Sequence, residues 1–329
     1  MINLKHTFRS QAHLDSVVKE YYKKIGSWVE EKICLSLEAN EDNGLLKFIK
    51  CNLKTIIAGK PDELIEFYEE IKKKNFDDIV FIRKNNKKER KKGKAGKKET
   101  VTKFLKYAFD YDKFRNEDAG KWWAEQLNIK TCVYCNTQFA HVLKLENAKI
   151  KRTYQIDHFF PQVDYPYFAL SFYNLIPSCG TCNGGKGDNN VNADFHPYKF
   201  DFDKEAVFSV DEESVIDFIL GSDQTKLEID IKPRSEKDKK DIEAYVDDFK
   251  LKEVYANHTD IVTELYQKKY HYPESRKQEI SNLLAGAGER LTPEEITRML
   301  RGSYIEREKI LQRPLSKLIK DISDELDLI

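Results

Sequence analysis

The sequence predicts an α+β protein that is mostly helical, with a small central region built around cysteines. Three observations support this class. Apolar residues recur at spacings of three and four along much of the chain, which is typical of helices with one buried face. Two Cys-x-x-Cys pairs stand at the two ends of residues 132–182. Short β-branched and aromatic runs occur inside and after this region, and these indicate a few short strands.

Helical periodicity begins near the N-terminus. From about Gln11 to Leu37, apolar side chains recur on one face of a helix, which we expect to lie in the core. A second helical stretch covers residues 45–58. A third begins at Pro61, a residue suited to the first turn of a helix. We therefore predict an N-terminal helical domain over residues 1–82.

A strongly basic segment follows. Residues 83–99 hold ten Lys or Arg, two Glu and no apolar residue larger than Ala95. Such a segment cannot bury enough surface to fold by itself, so residues 83–100 are predicted to form a flexible loop. Two interpretations stay open, a solvated surface loop and an arm that contacts nucleic-acid phosphates. The side chains proposed for phosphate contacts are Lys87, Lys88, Arg90, Lys91 and Lys92.

Helical periodicity resumes over residues 101–127. After residue 200, the strand-like runs AVFSV and TKLEIDIKP lead into charged helical stretches that continue to residue 328. Pro314 should kink or begin the last of these helices. We predict a central domain over residues 101–200 and a mostly helical scaffold or partner-docking domain over residues 201–329.

Composition and charge exclude some classes of protein. The chain carries 56 Lys and Arg and 56 Asp and Glu, but residues 201–329 hold 21 basic and 30 acidic residues, so residues 1–200 hold 35 and 26. A polyanion is therefore expected to meet the first 200 residues. No uncharged apolar run approaches the ~20 residues that cross a bilayer, and no secretory signal begins the chain. We expect a cytoplasmic protein without membrane contact.

Four of the six cysteines form the pattern C-x2-C-x43-C-x2-C. They are Cys132, Cys135, Cys179 and Cys182. Each short loop can wrap two thiolates around one tetrahedral ion. Redox chemistry is the competing interpretation of such pairs, but two pairs that bracket one compact region favour a shared Zn²⁺ site. Four thiolates leave no open coordination position, so this zinc should be structural.

Between the cysteine pairs, Asp157 and His158 stand side by side in the run YQIDHFFPQ. A lone histidine in an apolar strand is more often a packed core residue than a catalyst. Here Asn174 follows in the run NLI, and Asn183 and Lys186 follow in the run CNGGKGDN. The combined pattern D-H, N-L-I and C-x-x-C-N-x-x-K-G is far more specific than any of its parts.

Residues 132–189 resemble the HNH endonucleases, which are ββα-metal nucleases, here of the zinc-knuckle type. The resemblance implies a central ββα-metal core, in which a strand carrying Asp-His turns back into a strand that starts near the Asn. A short helix then carries the third motif residue. The flanking regions resemble HNH nucleases that act with ATPases in bacterial anti-phage systems of the Septu or retron-associated type. This implies a partner ATPase subunit.

The resemblance also implies a role for each motif residue. His158 matches the general base that takes a proton from the attacking water, and Asn174 matches the residue that ties the loop and orients the imidazole. Asp157 and Asn183 match the ligands of the catalytic ion, and their oxygens favour Mg²⁺ or Mn²⁺. Lys186 matches a basic residue that faces phosphate, although a lysine at a helix end is as often solvated.

Two details near the motif stay open. His196, in the run FHPY, is either an auxiliary phosphate contact or a packed loop residue. Gly184, Gly185 and Gly187 are poor helix formers, which puts the length of the short helix in doubt.

The expected function is hydrolysis of nucleic-acid phosphodiester bonds, with DNA as the expected substrate, in an anti-phage complex. Two alternatives remain open. One is the same chemistry on RNA, because the motif meets backbone phosphates and reads no bases. The other is a non-catalytic zinc-knuckle module that binds nucleic acid or a protein, because a scaffold needs only the cysteines.

Overall fold

The structure is a computed structural model of the chain and describes residues 2–39, 41–74, 76, 103–146, 150–221, 227–286, 291–304 and 306–328. The predicted basic loop at residues 83–100 lies outside the described residues. Two compact units are present. The helix–hairpin unit comprises Phe8–Asn128 and Val142–Lys199, and the C-terminal unit comprises Met1–Thr7, Ile129–His141 and Phe200–Ile329.

Six labelled helices of the helix–hairpin unit precede its strands. They are α1 (Gln11–Glu38), α2 (Gly44–Cys51), α3 (Leu53–Ala58), α4 (Pro61–Lys74), α5 (Tyr111–Asn116) and α6 (Asp118–Gln126). Residues 103–108 are also helical. The long helix predicted from Gln11 is confirmed, and the hydroxyl of Ser10 caps it by accepting from the His13 N–H at 3.1 Å. The stretch predicted over residues 45–58 is interrupted at Asn52, whose side-chain amide donates to the carbonyl of Phe48.

The apolar face of α1 lies in the core of this unit. Tyr21, at its centre, is fully buried, and its hydroxyl donates to the carbonyl of Leu170 at 3.0 Å. The ring of Tyr21 also meets the rings of Phe114 and Phe172 edge-on, at centroid distances of 5.8 and 5.3 Å. The longest helix therefore fixes the loop that leads into the last strand of the unit.

Two antiparallel hairpins complete the helix–hairpin unit. The first pairs β1 (Val142–Lys144) with β2 (Ile150–Arg152). The second pairs β3 (Gln155–His158) with β4 (Leu175–Ser178), and its register sets Gln155 opposite Ser178 and His158 opposite Leu175. Helix α7 (Gly180–Lys186) follows β4 directly.

The C-terminal unit is mostly helical. Its elements are α8 (Phe202–Glu205), β5 (Ala206–Val210), α9 (Glu212–Gly221), β6 (Ile229–Pro233), α10 (Lys239–Asp248), α11 (Leu251–Tyr255), α12 (Thr259–His271), α13 (Glu274–Gly286), α14 (Pro293–Arg301) and α15 (Ser316–Glu325). Strand β5 coincides with the predicted run AVFSV and pairs antiparallel with β6. Helix α15 begins shortly after Pro314, as predicted.

A buried ion cluster joins α15 to α8 within the C-terminal unit. The Lys317 ammonium lies 3.2 Å from a carboxylate oxygen of Asp203 and 2.5 Å from one of Asp321. All three side chains are almost completely buried. Asp321 also accepts from the backbone N–H of Phe208 in β5 at 2.9 Å. The cluster therefore fixes the helix against the strand through charge-assisted bonds.

The architecture matches the predicted class in its broad form, since the part of the chain that the structure describes is mostly helical and its sheets are small and two-stranded. None of the helices in the described ranges combines the length and the apolar character that a membrane crossing needs.

Candidate active site and four-cysteine cluster

The four motif cysteines lie together. The sulfur atoms of Cys132, Cys135, Cys179 and Cys182 are all within 4.8 Å of one another, and all four residues are buried. A tetrahedral Zn²⁺ with bonds of about 2.3 Å would separate its sulfur ligands by about 3.8 Å. The cluster is therefore compact enough for four ligands to reach one ion, and it can hold a structural metal such as zinc.

Hydrogen bonds in both cysteine pairs suit thiolates. The hydroxyl of Thr137 lies 3.2 Å from the sulfur of Cys135 and donates to it. The backbone N–H of Cys182 donates to the sulfur of Cys179 at 3.4 Å and caps the start of α7. Cysteine binds metal as the thiolate, and donors aimed at sulfur favour that charged form. The chemistry of this donor set fits Zn²⁺.

His158 lies at the end of β3 with a fixed imidazole. Its Nε2 is 3.0 Å from the carbonyl oxygen of Ala169, and its ring packs edge-on against the ring of Tyr111 at a centroid distance of 4.6 Å. A carbonyl oxygen can only accept, so Nε2 must carry the hydrogen. In the neutral ring, the lone pair is then on Nδ1, which is the atom available to accept a proton.

Burial favours the neutral form of this imidazole. It lowers the pKa of His158 from the ordinary value of histidine, and the nearby Lys186 ammonium acts in the same direction. The Ala169 carbonyl and the Asp157 carboxylate oppose this change but do not outweigh it. The side chain is still half-buried rather than enclosed.

Asn174 ties together the loop that holds His158. Its side-chain oxygen accepts from the Phe160 N–H at 2.6 Å, and its amide donates to the carbonyls of Phe160 and Phe168 at 3.1 and 3.0 Å. The residue is completely buried. Because Phe168 precedes Ala169, these bonds fix the peptide segment whose carbonyl receives Nε2 of His158. The structure thus gives Asn174 a supporting position behind the imidazole.

Asp157 points away from His158 and toward α7. One carboxylate oxygen lies 3.2 Å from the Lys186 ammonium, and the two side chains are 4% and 0% exposed. The same ammonium donates to the carbonyl of His158 at 2.8 Å. The contact of Lys186 with phosphate stays a prediction, but the lysine is buried and paired rather than solvated. The reason is that a buried carboxylate is costly without a cationic partner.

Asn183 lies beside this ion pair and forms a second contact between α7 and β3. Its side-chain amide donates to the side-chain oxygen of Gln155 at 2.6 Å. Asn183 and Lys186 are three residues apart and share a helix face, and Gln155 and Asp157 share a strand face. Asp157 and Asn183 are thus both at the junction of β3 and α7, with different partners.

The oxygens of Asp157 and Asn183 are of the kind that Mg²⁺ and Mn²⁺ bind. In the observed arrangement, however, Lys186 already neutralises Asp157. A divalent ion at Asp157 would therefore compete with the Lys186 ammonium for the same carboxylate. This competition is not evident from the sequence, since the two residues are 29 positions apart.

Helix α7 forms in spite of its glycines. It includes Gly184 and Gly185 and ends at Gly187, which has a φ of 52° and a ψ of −134°. Such a positive φ favours glycine over other residues, so Gly187 explains where the helix stops. The helix is long enough to carry both Asn183 and Lys186 on one face.

The remaining predicted residues lie elsewhere. His196 is completely buried, packs on the ring of Phe159 at a centroid distance of 4.5 Å and accepts from the Tyr198 N–H through Nδ1. This is the packed alternative of the two offered for it. The residues proposed for phosphate contacts in the basic loop lie outside the described residues; they are Lys87, Lys88, Arg90, Lys91 and Lys92.

Two contributors to the site were not found from the sequence. The carbonyl of Ala169 accepts a hydrogen bond from Nε2 of His158, and Tyr111 packs against the imidazole. Every residue has a backbone carbonyl, so the sequence does not show which carbonyl accepts the bond from His158. Tyr111 lies in α5, 47 positions before His158, and no local pattern links the two.

Similarity to known proteins is confined to a short part of the chain. Septu protein PtuB of Bacillus thuringiensis is 32% identical over 65 residues, which make up 20% of this chain and 22% of that protein. Protein ea31 of Escherichia phage lambda is 42% identical over 64 residues, which make up 18% of this chain and 21% of that protein. No protein-family model and no solved structure matches the chain. The chain is therefore similar to these two proteins over about a fifth of their length and of its own.

Proposed function

We propose that this chain is a metal-dependent HNH endonuclease that hydrolyses phosphodiester bonds of nucleic acid, with DNA as the main substrate. The single observation that carries the proposal is the fixed imidazole of His158, with its lone pair on Nδ1. The order β3, β4, α7 around the Asp-His, Asn and Asn positions supports the ββα-metal arrangement that the resemblance implies.

His158 acts as the general base. Nδ1 takes a proton from a water molecule whose oxygen attacks the phosphorus, while Nε2–H stays bonded to the Ala169 carbonyl. The new P–O bond forms as the P–O3′ bond breaks and the departing O3′ takes a proton from a second water, so the products carry a 5′-phosphate and a 3′-hydroxyl. The Ala169 carbonyl stabilises the imidazolium that forms, and Asn174 holds that carbonyl in place.

Asp157 and Asn183 are the proposed ligands of a catalytic Mg²⁺ or Mn²⁺. Such an ion, when bound, adds positive charge beside the phosphate and the departing oxygen. For the protein, the consequence is that the ion would compete with Lys186 for Asp157. The proposed zinc of the four cysteines has a structural role, because four thiolates would fill its coordination shell.

The proposed biological setting rests on similarity to a known defence protein. Similarity to a protein named Septu protein PtuB supports a role in an anti-phage defence complex, which the flanking regions also imply by resemblance. We propose a partner ATPase subunit that licenses cleavage, with the mostly helical C-terminal unit as its docking region. Co-purification of the chain with the product of a neighbouring ATPase gene would test this part.

A plasmid assay tests the activity. The wild-type chain, assembled with its natural partner, is incubated with supercoiled DNA and Mg²⁺, and it should convert the DNA to nicked or linear forms that EDTA abolishes. His158→Ala should be inactive, whereas His271→Ala, which changes an exposed histidine, should be fully active. Cleavage of RNA in place of DNA would support the first alternative, and binding without any cleavage would support the non-catalytic module.

A further inference from the structure

A basic cleft lies beside the candidate active site in the helix–hairpin unit. Its volume is about 580 Å³, within the ~300–1,000 Å³ of typical ligand pockets. Side chains from α5, α6, β2, β3 and α7 line it. Four of them are cationic, and no acidic residue is among the described residues that line the cleft. The four are Arg115, Lys121, Lys151 and Arg152.

Arg152 contributes a positive charge to the lining of the cleft. Its guanidinium donates to the carbonyl of Gly120 at 3.0 Å and to the carbonyl of Arg115. These bonds join β2 to α5 and α6, so they hold the walls of the cleft together. Both acceptors are neutral, and the charge of the guanidinium therefore still acts on the cleft.

The other cations are available to a ligand. Lys151 is exposed, and Arg115 and Lys121 each pair with an exposed aspartate on their own helix, at 3.4 and 2.9 Å. Exposed ion pairs of this kind are weak and exchange partners easily. A phosphate group can therefore replace the carboxylates at little cost.

The cleft is continuous with the candidate active site. Gln155 and Asn183, which bond to each other at the junction of β3 and α7, belong to its lining. Tyr111 also lines it, and the same ring packs against the imidazole of His158. A ligand in the cleft would thus extend toward the residues assigned to catalysis.

We propose that this cleft binds the sugar–phosphate backbone of the nucleic acid next to the bond that is cleaved. The inference rests on the proposed function and adds a substrate-binding surface to it. Mobile cations around a cleft without acidic residues suit a polyanion whose binding depends on salt. Phosphate contacts of this kind position the strand and read no sequence.

The test is a salt titration of binding. Fluorescence anisotropy of a labelled DNA duplex is measured with the full chain carrying His158→Ala, which prevents cleavage. The cleft variant adds Arg115→Gln, Lys121→Gln and Lys151→Gln. The matched control adds Lys19→Gln, Lys47→Gln and Lys54→Gln, which remove the same charge from exposed positions of the same unit outside the cleft.

Each phosphate contact contributes about 0.9 to the slope of log K against log salt for a duplex. We expect the cleft variant to bind more weakly and to lose about 2–3 from this slope, while the control retains the wild-type slope. Equal slopes for the cleft variant and the control would overturn the proposal. The same titration with labelled single-stranded DNA and RNA identifies the preferred nucleic acid. For single strands, each phosphate contact contributes about 0.7 to the slope.

The outcome is separable from that of the proposed function. If the chain cleaves nothing but the cleft variant still loses slope, the cleft binds nucleic acid and the nuclease assignment fails. If the chain with His158 cleaves DNA and the cleft variant binds with the same salt slope as the control, the substrate lies elsewhere and the cleft proposal fails. Arg152 is left unchanged in both variants, because its bonds to two carbonyls hold the cleft together.

Discussion

At the scale of single residues, the geometry around His158 depends on groups that residue type alone does not reveal. The motif predicted that Asn174 ties a loop, and the structure gives it three short bonds to do so. It did not predict that Lys186 turns inward to Asp157, because that pairing depends on how α7 packs on β3. A buried carboxylate such as that of Asp157 needs a cationic partner, and this packing brings Lys186 to it.

Asn174→Ala tests the supporting role of the loop. The substitution leaves buried backbone groups of Phe160 and Phe168 without the side chain that satisfies them, and each such group costs roughly 1–3 kcal/mol. We expect the free energy of unfolding to fall by at least about 3 kcal/mol, because three such groups lose their partner, measured by urea denaturation. Asn190→Ala, which removes an exposed amide bonded to Asp164, should change it by less than about 0.5 kcal/mol. Equal losses in the two variants would contradict the role.

Lys186→Met tests competition between the ammonium and a divalent ion. Removing the cationic partner of a buried carboxylate costs about 3–5 kcal/mol of stability. A divalent ion should restore part of this loss, since it supplies the missing charge. We expect Mn²⁺ to bind the variant more tightly than the wild type by electron paramagnetic resonance, and to raise its melting temperature more.

The control for that experiment is Lys309→Met, which breaks an exposed pair with Glu306. It should leave Mn²⁺ affinity unchanged. If Lys186→Met binds Mn²⁺ no better than this control does, Asp157 is not the site that Lys186 blocks.

At the level of helices and strands, local sequence patterns predicted the elements whose residue types alone indicate their structure. The periodic run of α1 and the strand-like run of β5 were both predicted, because apolar spacing marks the buried face of α1 and short β-branched and aromatic runs are typical of strands. The break at Asn52 and the full length of α7 were not, since a side-chain cap and a single positive φ at Gly187 decide them. The cleft also escaped prediction, because β2 and α5 are far apart in sequence.

The cysteine loops are the elements that metal should stabilise. We expect one Zn²⁺ per chain by metal analysis, and a lower melting temperature after treatment with a strong chelator. Cys179→Ser removes one ligand and should cause loss of both zinc and stability, because structural zinc sites contribute folding energy directly. Cys51→Ser, at an exposed cysteine outside the cluster, should retain the metal. Zinc-free protein of undiminished stability would rule out the structural site.

At the scale of the whole molecule, the two compact units are discontinuous in sequence. Met1–Thr7 and Ile129–His141 group with Phe200–Ile329, which no periodicity or composition records. Such grouping arises from contacts between distant segments, so a scan of local pattern cannot find it. The domain boundaries expected at residues 82, 100 and 200 stay predictions.

The buried ion cluster of the C-terminal unit should be a major determinant of its stability. Burial alone would raise the pKa of Asp203, but the ion pairs with Lys317 and Lys320 outweigh it and lower that pKa. Lys317→Met leaves Asp203 and Asp321 with less cationic charge and should cost about 3–5 kcal/mol of unfolding free energy. Lys239→Met, at an exposed pair with Glu236, is the control and should cost less than about 0.5 kcal/mol. A loss for Lys317→Met as small as that of the control would show that the cluster contributes little.

In the proposed reaction, Nδ1 of His158 accepts the proton of the attacking water. The most direct measurement is the single-turnover rate of DNA cleavage by the chain with its natural partner and Mg²⁺, for the wild type and for His158→Ala. General-base catalysis contributes about 10²–10⁴-fold, so we expect the rate to fall by at least about 100-fold while DNA affinity is retained. Equal rates for the two proteins would contradict the account.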